Sequence, residues 1–323
     1  MSKPPLLMTG TMMPLISDQL HAAFDVVRFW EAPDRESCLA THGPRIEAVC
    51  TGGHTGVKCN EDLFARLPKL KVISNFGVGY DSVDVVAAGR RGIVVTNTPD
   101  VLNEEVADTA IGLLLMTVRE LGMAEQYLRA GDWAKHGDYR LTSSLRDRKI
   151  GMVGLGRIGK AITRRIEAFG MPIAYFGRRK QDGVNYPFYD DIVAMARDVD
   201  TLIVITPGGA ATKNLINKAV LEALGPRGIL INMARGSVVD ETALIEALRN
   251  RTIHSAGLDV MWNEPTIDPT LMTLDNLVLL PHVGSASVFT RDGMGQLVVD
   301  NLLAYKNRVP PKTPVPETPF KSW

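Results

Sequence analysis

The stretch VGLGRIG at Val153–Gly159 decides how this chain is read. It stands between the apolar segment KIGMVG and the helix-like segment RIGKAITRRIEAFG, so a strand runs into a glycine loop and out into a helix. Each glycine has a physical purpose there. Gly154 permits the tight turn, Gly156 lets the backbone approach a pyrophosphate, and Gly159 lets helix and strand pack closely. The helix start, at Arg157 and Ile158, offers free N–H groups and the positive end of a dipole to a phosphate. The pattern predicts a dinucleotide site on a parallel α/β sheet.

The next strand, PIAYFG, is followed by Arg178, Arg179 and Lys180. An acidic residue about 20 positions beyond the loop would take the ribose 2'-hydroxyl of NAD. Here Gly177, Arg178 and Arg179 hold that place. A guanidinium can grip a phosphate through two hydrogen bonds, and no carboxylate is present to repel it. These residues predict NADP(H) in preference to NAD(H). A solvated loop face is the plain reading of a charge run; the glycine loop one strand earlier weighs against it.

Working outward, the apolar runs LLMTG, DVVRF, EAVCTG, KVISNFG and GIVVTN alternate with helical patterns over the first hundred residues. A second series, KIGMVG, PIAYFG, TLIVIT, GILINMA, SAGLDV and LVLLPHV, does the same further on. Two such series predict two parallel sheets. Between them Val106, Ala110, Leu113, Leu114, Thr117, Val118 and Leu121 recur at helical spacing, which predicts one long helix over 103–130. The segment GDWAKHGDYRLTSSLRDR (131–148) reads as irregular, 286–305 as a returning helix, and the proline-rich VPPKTPVPETPF as an extended, exposed tail.

The 323 residues carry 36 basic and 36 acidic side chains, so no overall field draws the protein to nucleic acid or to an anionic membrane. The amino-terminal stretch lacks the order of a secretory signal, and no apolar run approaches the ~20 residues that cross a bilayer. Cys38, Cys50 and Cys59 form an odd set without a CxxC pair, and the histidines are scattered. That fits reduced thiols in a cytoplasm and predicts no metal site.

Three residues suggest chemistry. Arg235 follows the strand GILINMA, Glu264 lies in AGLDVMWNEP, and His282 in LVLLPHVGS. Each follows a strand of one predicted sheet, and ligands of such sheets bind at the carboxyl ends of the strands. An arginine can hold a carboxylate or polarise a carbonyl, and a histidine paired with a carboxylate can give up a proton near neutral pH. Together they suit reduction of a 2-keto acid. Singly, each has a plain structural reading, a loop cap for the histidine or an ion pair for Arg235 and Glu264.

NFGVGYDSVD, NEEVADTAIGLLL, VGLGRIGKAI, INMARGSVVDETAL, AGLDVMWNEP and LLPHVGSAS stand in an order and at a spacing that resembles the D-isomer-specific 2-hydroxyacid dehydrogenases over nearly the whole chain. The resemblance implies two doubly wound parallel-sheet domains, Rossmann-like and flavodoxin-like, with a cleft between them. Residues 1–101 and 287–323 would bind substrate, 102–286 would bind NADP(H), and 131–148 would form the arm of a homodimer. It implies catalytic roles for Arg235, Glu264 and His282, and substrate contacts at Gly53, Val78, Gly79 and Arg235. Thr109 and Asp259 would lie near the nicotinamide, Thr206 and Pro207 along the cofactor, Met233, Ala234 and Gly284 would also bind the cofactor, and Trp133 or Tyr139 would close a pocket or pack between subunits. The GRR stretch is similar to that of NADPH-preferring glyoxylate and hydroxypyruvate reductases. Two alternatives remain at this point: a reductase of bulkier keto acids such as hydroxyphenylpyruvate, and a corepressor-like module that binds a dinucleotide without turnover.

Overall fold

The protein, described over residues 3–323 in a computed structural model, divides into two compact units. One runs up to Leu102 and resumes at Ser287–Trp323; the other is Asn103–Ala286.

In the first unit, β1 (Pro5–Met8), β2 (Asp25–Arg28), β3 (Ala48–Gly52), β4 (Val72–Phe76) and β5 (Val94–Thr96) form a parallel sheet in the order β2-β1-β3-β4-β5. This is the flavodoxin-like order. Every residue of β3, β4 and β5 is buried, as expected of parallel strands covered on both faces. Helix Val288–Lys306 brings the chain back to this unit and packs on helix Pro14–Ala23, where Gln19 Nε2 donates to Gln296 Oε1 at 3.0 Å. Burial pushes the Cys50 and Cys59 thiols up to about 12 and about 11.

The second unit holds seven parallel strands: β6 (Ile150–Val153), β7 (Ile173–Phe176), β8 (Phe188–Tyr189), β9 (Thr201–Val204), β10 (Ile229–Asn232), β11 (Ser255–Leu258) and β12 (Leu277–Leu279). Their order is β12-β11-β10-β9-β6-β7-β8. From β6 the chain moves outward through β7 and β8, then crosses to β9 on the other side of β6. Read from β8, this is the 3-2-1-4-5-6 order of a dinucleotide-binding sheet, and its switch point lies where the glycine loop leaves β6. Among the described residues no helix is long and apolar enough to cross a membrane.

Three sequence expectations need correction. The helix predicted over 103–130 is two helices, Asn103–Arg119 and Leu121–Arg129, broken where Glu120 takes a left-handed φ of 50°. The Glu120 carboxylate accepts from Tyr139 Oη at 2.8 Å and Arg140 Nε at 2.7 Å, so groups distant in sequence hold the break. The segment after it, read as irregular, contains a helical stretch, Asp132–His136.

The tail is not exposed throughout. Pro314 bridges Thr96 in antiparallel fashion, Val315 N–H donates to the Val95 carbonyl at 2.9 Å, and Thr318 Oγ1 accepts from Val95 N–H at 2.9 Å. The free edge of β5 offers unpaired backbone groups, and the tail satisfies them. Val315, at 1% exposed, anchors it. Val315→Ala should lower unfolding free energy by about 2 kcal/mol, read from a urea midpoint; an unchanged midpoint would mean that the tail contributes no packing.

Candidate active site

The loops that leave the carboxyl ends of β6, β7, β9, β10, β11 and β12 carry the glycine loop, the cations, Thr206, Arg235, Glu264 and His282. Gly154 has φ 101°, and a Cβ on Gly159 would stand 2.7 Å from the Gly154 carbonyl oxygen, so helix Arg157–Ala168 packs at glycine distance on the loop. No side chain caps this helix, and its first residues, Arg157 and Ile158, follow Gly156, beside which a Cβ would meet nothing within 4 Å. Thr206 Oγ1, at the end of β9, is buried without a hydrogen-bond partner among the described residues, and its Cγ2 lies 3.0 Å from where a Gly154 Cβ would be. Pro207 follows it, exposed. A helix start with no side-chain cap, open space over Gly156 and an orphaned hydroxyl fit a bound pyrophosphate.

Gly177 follows β7, whose Phe176 pairs with Val153 and accepts from Gly154 N–H at 3.0 Å. Arg178, Arg179 and Lys180 therefore begin beside the glycine loop. They are exposed and make no hydrogen bond or ion pair among the described residues. Gln181 fixes their loop: its Nε2 donates to the Leu155 carbonyl and its N–H to Tyr175 Oη, both at 2.8 Å. The sequence did not announce Gln181, because a polar residue in a charged loop carries no periodic signal.

Arg235 is half-buried after β10, and its Nη1 donates to the Ala234 carbonyl at 2.7 Å. Asn232 shapes this turn by accepting from Ala234 N–H at 3.0 Å and donating to the Arg235 carbonyl at 3.1 Å. Glu264, beyond β11, places Oε2 2.6 Å from His282 Nδ1, while its Oε1 accepts from Met261 N–H at 2.8 Å. Burial opposes the Glu264 charge, but the His282 bond, the Met261 N–H and the charges of His282 and Arg235 outweigh it and hold the carboxyl below its ordinary value. The side chains of His282 and Glu264 are 47% and 29% exposed, so the pair is reachable.

His282 takes a φ of 55°, and Asp259 holds that conformation. The Asp259 carbonyl accepts from His282 N–H at 2.9 Å, and its carboxylate accepts from Val283 N–H at 2.7 Å and Gly284 N–H at 2.9 Å. Asp259 is 2% exposed, and its burial raises the carboxyl against the pull of those two N–H groups and of His282. Thr109 Oγ1 donates to the Gly284 carbonyl at 3.2 Å, and a Cβ on Gly284 would lie 3.3 Å from Met233 Cε. Thr109, Met233, Asp259 and Gly284 thus meet; Ala234, 3% exposed, lies behind Arg235.

In the first unit, Gly53 opens a short turn after β3, and a Cβ there would meet nothing within 4 Å. Val78 and Gly79 follow β4. Asn97 Nδ2 donates to the Val78 carbonyl at 2.9 Å and Asn75 Nδ2 to the Gly79 carbonyl at 3.0 Å, which turns both carbonyls inward. The N–H groups of Val78 and Gly79 have no acceptor among the described residues. Tyr139 is engaged by Glu120 and stands edge-on to Tyr127 at 5.4 Å, whereas Trp133 is 58% exposed.

Residues 111–284 match the model of the D-isomer specific 2-hydroxyacid dehydrogenase, NAD binding domain. The chain is 43% identical to a hydroxyphenylpyruvate reductase of Plectranthus scutellarioides and 42% identical to a glyoxylate/hydroxypyruvate reductase A of Arabidopsis thaliana, with 96% of this chain and 98% of each relative covered. Among solved structures, an NADPH-dependent glyoxylate/hydroxypyruvate reductase from Sinorhizobium meliloti, in complex with NADP and malonate, superposes with a TM-score of 0.94 at 50% identity, over 100% of this chain and 99% of that one. With a hydrogen-bonded His–Glu pair, a strand-end arginine and a dinucleotide loop on one sheet, this chain belongs to the D-isomer-specific 2-hydroxyacid dehydrogenases.

Proposed function

We propose that this protein reduces small 2-keto acids, glyoxylate and hydroxypyruvate, to glycolate and D-glycerate with NADPH. The observation that carries the reading is the 2.6 Å His282–Glu264 pair on the same sheet edge as a glycine loop flanked by unpaired Arg178 and Arg179. NADPH, when bound, supplies the hydride that goes to the carbonyl carbon.

The chain's own groups do the rest. Gly154, Gly156, Gly159 and the N–H groups at Arg157 and Ile158 hold the pyrophosphate, with Thr206 and Pro207 alongside; Arg178 and Arg179 hold the 2'-phosphate. Thr109, Met233, Ala234, Asp259 and Gly284 line the nicotinamide. Backbone groups at Gly53, Val78 and Gly79 take the substrate carboxylate, and Arg235 binds and polarises the keto acid. Glu264 occupies His282 Nδ1, so the proton that completes the hydroxyl leaves from Nε2.

The reading includes a homodimer in a cytoplasm. Leu121, Leu128, Trp133 and Leu141, within residues 121–141, are 47%, 56%, 58% and 100% exposed, apolar side chains that a second copy would cover. The free thiols suit a reducing compartment.

His282→Ala should lower kcat by about 10²- to 10⁴-fold with NADPH binding near normal, and wild-type turnover would remove the role. Replacing Arg178 and Arg179 with serine should raise the KM for NADPH by about tenfold to a hundredfold and leave that for NADH nearly unchanged. Equal weakening of both cofactors would refute the 2'-phosphate assignment. Initial rates on glyoxylate, hydroxypyruvate, pyruvate and phenylpyruvate should favour the first two; the 43% identity to a hydroxyphenylpyruvate reductase makes phenylpyruvate the decisive competitor, and a preference for it would move the assignment to aromatic keto acids.

A further inference from the structure

The loops after β9, β10 and β11 are joined to one another. Asn214 N–H donates to the Ser237 carbonyl at 2.9 Å, Ile216 N–H to the Val238 carbonyl at 3.0 Å, and Asp240 N–H to the Ile216 carbonyl at 2.9 Å. One side chain reaches into all three loops. Trp262, itself after β11, donates its indole Nε1–H to the Val239 carbonyl at 2.8 Å, and Lys213 Nζ lies 5.8 Å over its ring. Its backbone N–H donates to Glu241 Oε2 at 3.0 Å, in the first turn of helix Glu241–Arg249.

On the other flank the contact is backbone on backbone. A Cβ at Gly236 would stand 2.1 Å from the carbonyl carbon of Met261 and 2.5 Å from Trp262 N, so the turn that carries Arg235 rests directly on the loop that carries Glu264. That loop is short. Two residues beyond Trp262, after Asn263 at φ 57°, Glu264 folds back to Met261 N–H with one oxygen and meets His282 with the other.

We propose that Trp262 and Glu241 are positioning residues for the reduction: they fix the loop from which Glu264 orients His282, and so set the His282 ring against Arg235. The proposal rests on the function proposed above. Neither residue contacts His282 or Arg235 in the hydrogen bonds described. Glu264 is faced by His282, the Met261 N–H, Arg235 and the charge of Asp259, and Glu241 by the Trp262 N–H and the charge of Asp268. Removing the Glu241 carboxylate therefore leaves the proton donor in place and loosens only its support. Proton transfer needs heavy atoms within about 2.6–3.2 Å of each other, and a displacement near 1 Å costs about a hundredfold.

The test uses the full chain with NADPH and hydroxypyruvate, and compares Glu241→Ala, Glu241→Gln and Trp262→Phe. Glutamine keeps an accepting oxygen; phenylalanine keeps a ring but loses the indole donor. Glu241→Ala should lower kcat by about tenfold or more, with a larger solvent deuterium isotope effect on kcat as proton delivery becomes limiting, and with the NADPH dissociation constant unchanged. Glu241→Gln should restore both kcat and the isotope effect, and Trp262→Phe should lower kcat about threefold with the same isotope signature. Wild-type kcat and isotope effect in a folded Glu241→Ala and in Trp262→Phe overturn the proposal, as does a Glu241→Gln variant as impaired as alanine. If Glu241→Ala does not fold, Trp262→Phe decides by the same readouts. His282→Ala runs beside them: if it keeps wild-type turnover, the function reading fails on its own and takes this proposal with it.

Discussion

A parallel strand cannot turn straight back into its neighbour; the chain must cross over, and every crossover starts from the same edge of the sheet. In the second unit this brings six loops to one edge, and each loop donates one component: glycines from β6, cations from β7, an orphaned threonine hydroxyl from β9, arginine from β10, glutamate from β11 and histidine from β12. Residues more than a hundred positions apart become neighbours without any sequence signal linking them. Site and topology are thus one constraint, and the order of strands fixes the order in which chemistry is laid out.

Within that edge the His282–Glu264 bond is expensive to arrange. A carboxylate withdrawn from water loses solvation; His282, the Met261 N–H and Arg235 more than offset that loss and hold the Glu264 carboxyl below its ordinary value. His282 in turn occupies a left-handed backbone conformation, uncommon for a residue with a Cβ, which Asp259 stabilises through three backbone hydrogen bonds. The uncommon conformation falls on the residue that meets Glu264, and the Asp259 side chain that holds it is buried where solvent does not compete.

Much of this was legible in the sequence because it is local. Apolar runs mark most of the strands to within a residue or two, although LVLLPHV runs four residues past β12 and the short β8 was not foreseen, and a glycine loop between strand and helix is a local pattern with a local cause. What was not legible depended on distant partners. The helical spacing continues through Glu120, yet the helix breaks there because Tyr139 and Arg140 hold its carboxylate. The prolines of the tail suggested an extended, exposed segment, and only the unpaired edge of β5 explains its docking. Arg235, Glu264 and His282 could be named from their motifs; that Glu264 Oε2 meets His282 at Nδ1 and not at Nε2 could not. Trp262 and Gln181 carried no signal, since their partners are backbone carbonyls of other loops.

The surrounding charges separate two uses of arginine. Arg164 and Arg165, on the helix that follows the glycine loop, are tied to Glu104 and Asp108 at 2.6–2.9 Å and join two helices. Arg178 and Arg179, just past the neighbouring strand, have no such partner among the described residues and stand in water. A paired guanidinium has its donors satisfied and would have to give up an ion pair to bind a phosphate; an unpaired one exchanges only water. In a chain whose 36 cations balance 36 anions, selection of a phosphate cannot come from net charge and must come from the few cations left without a counter-ion. In the function proposed above, their position beside the Gly154–Gly159 loop is what would turn a local excess of charge into a choice of cofactor.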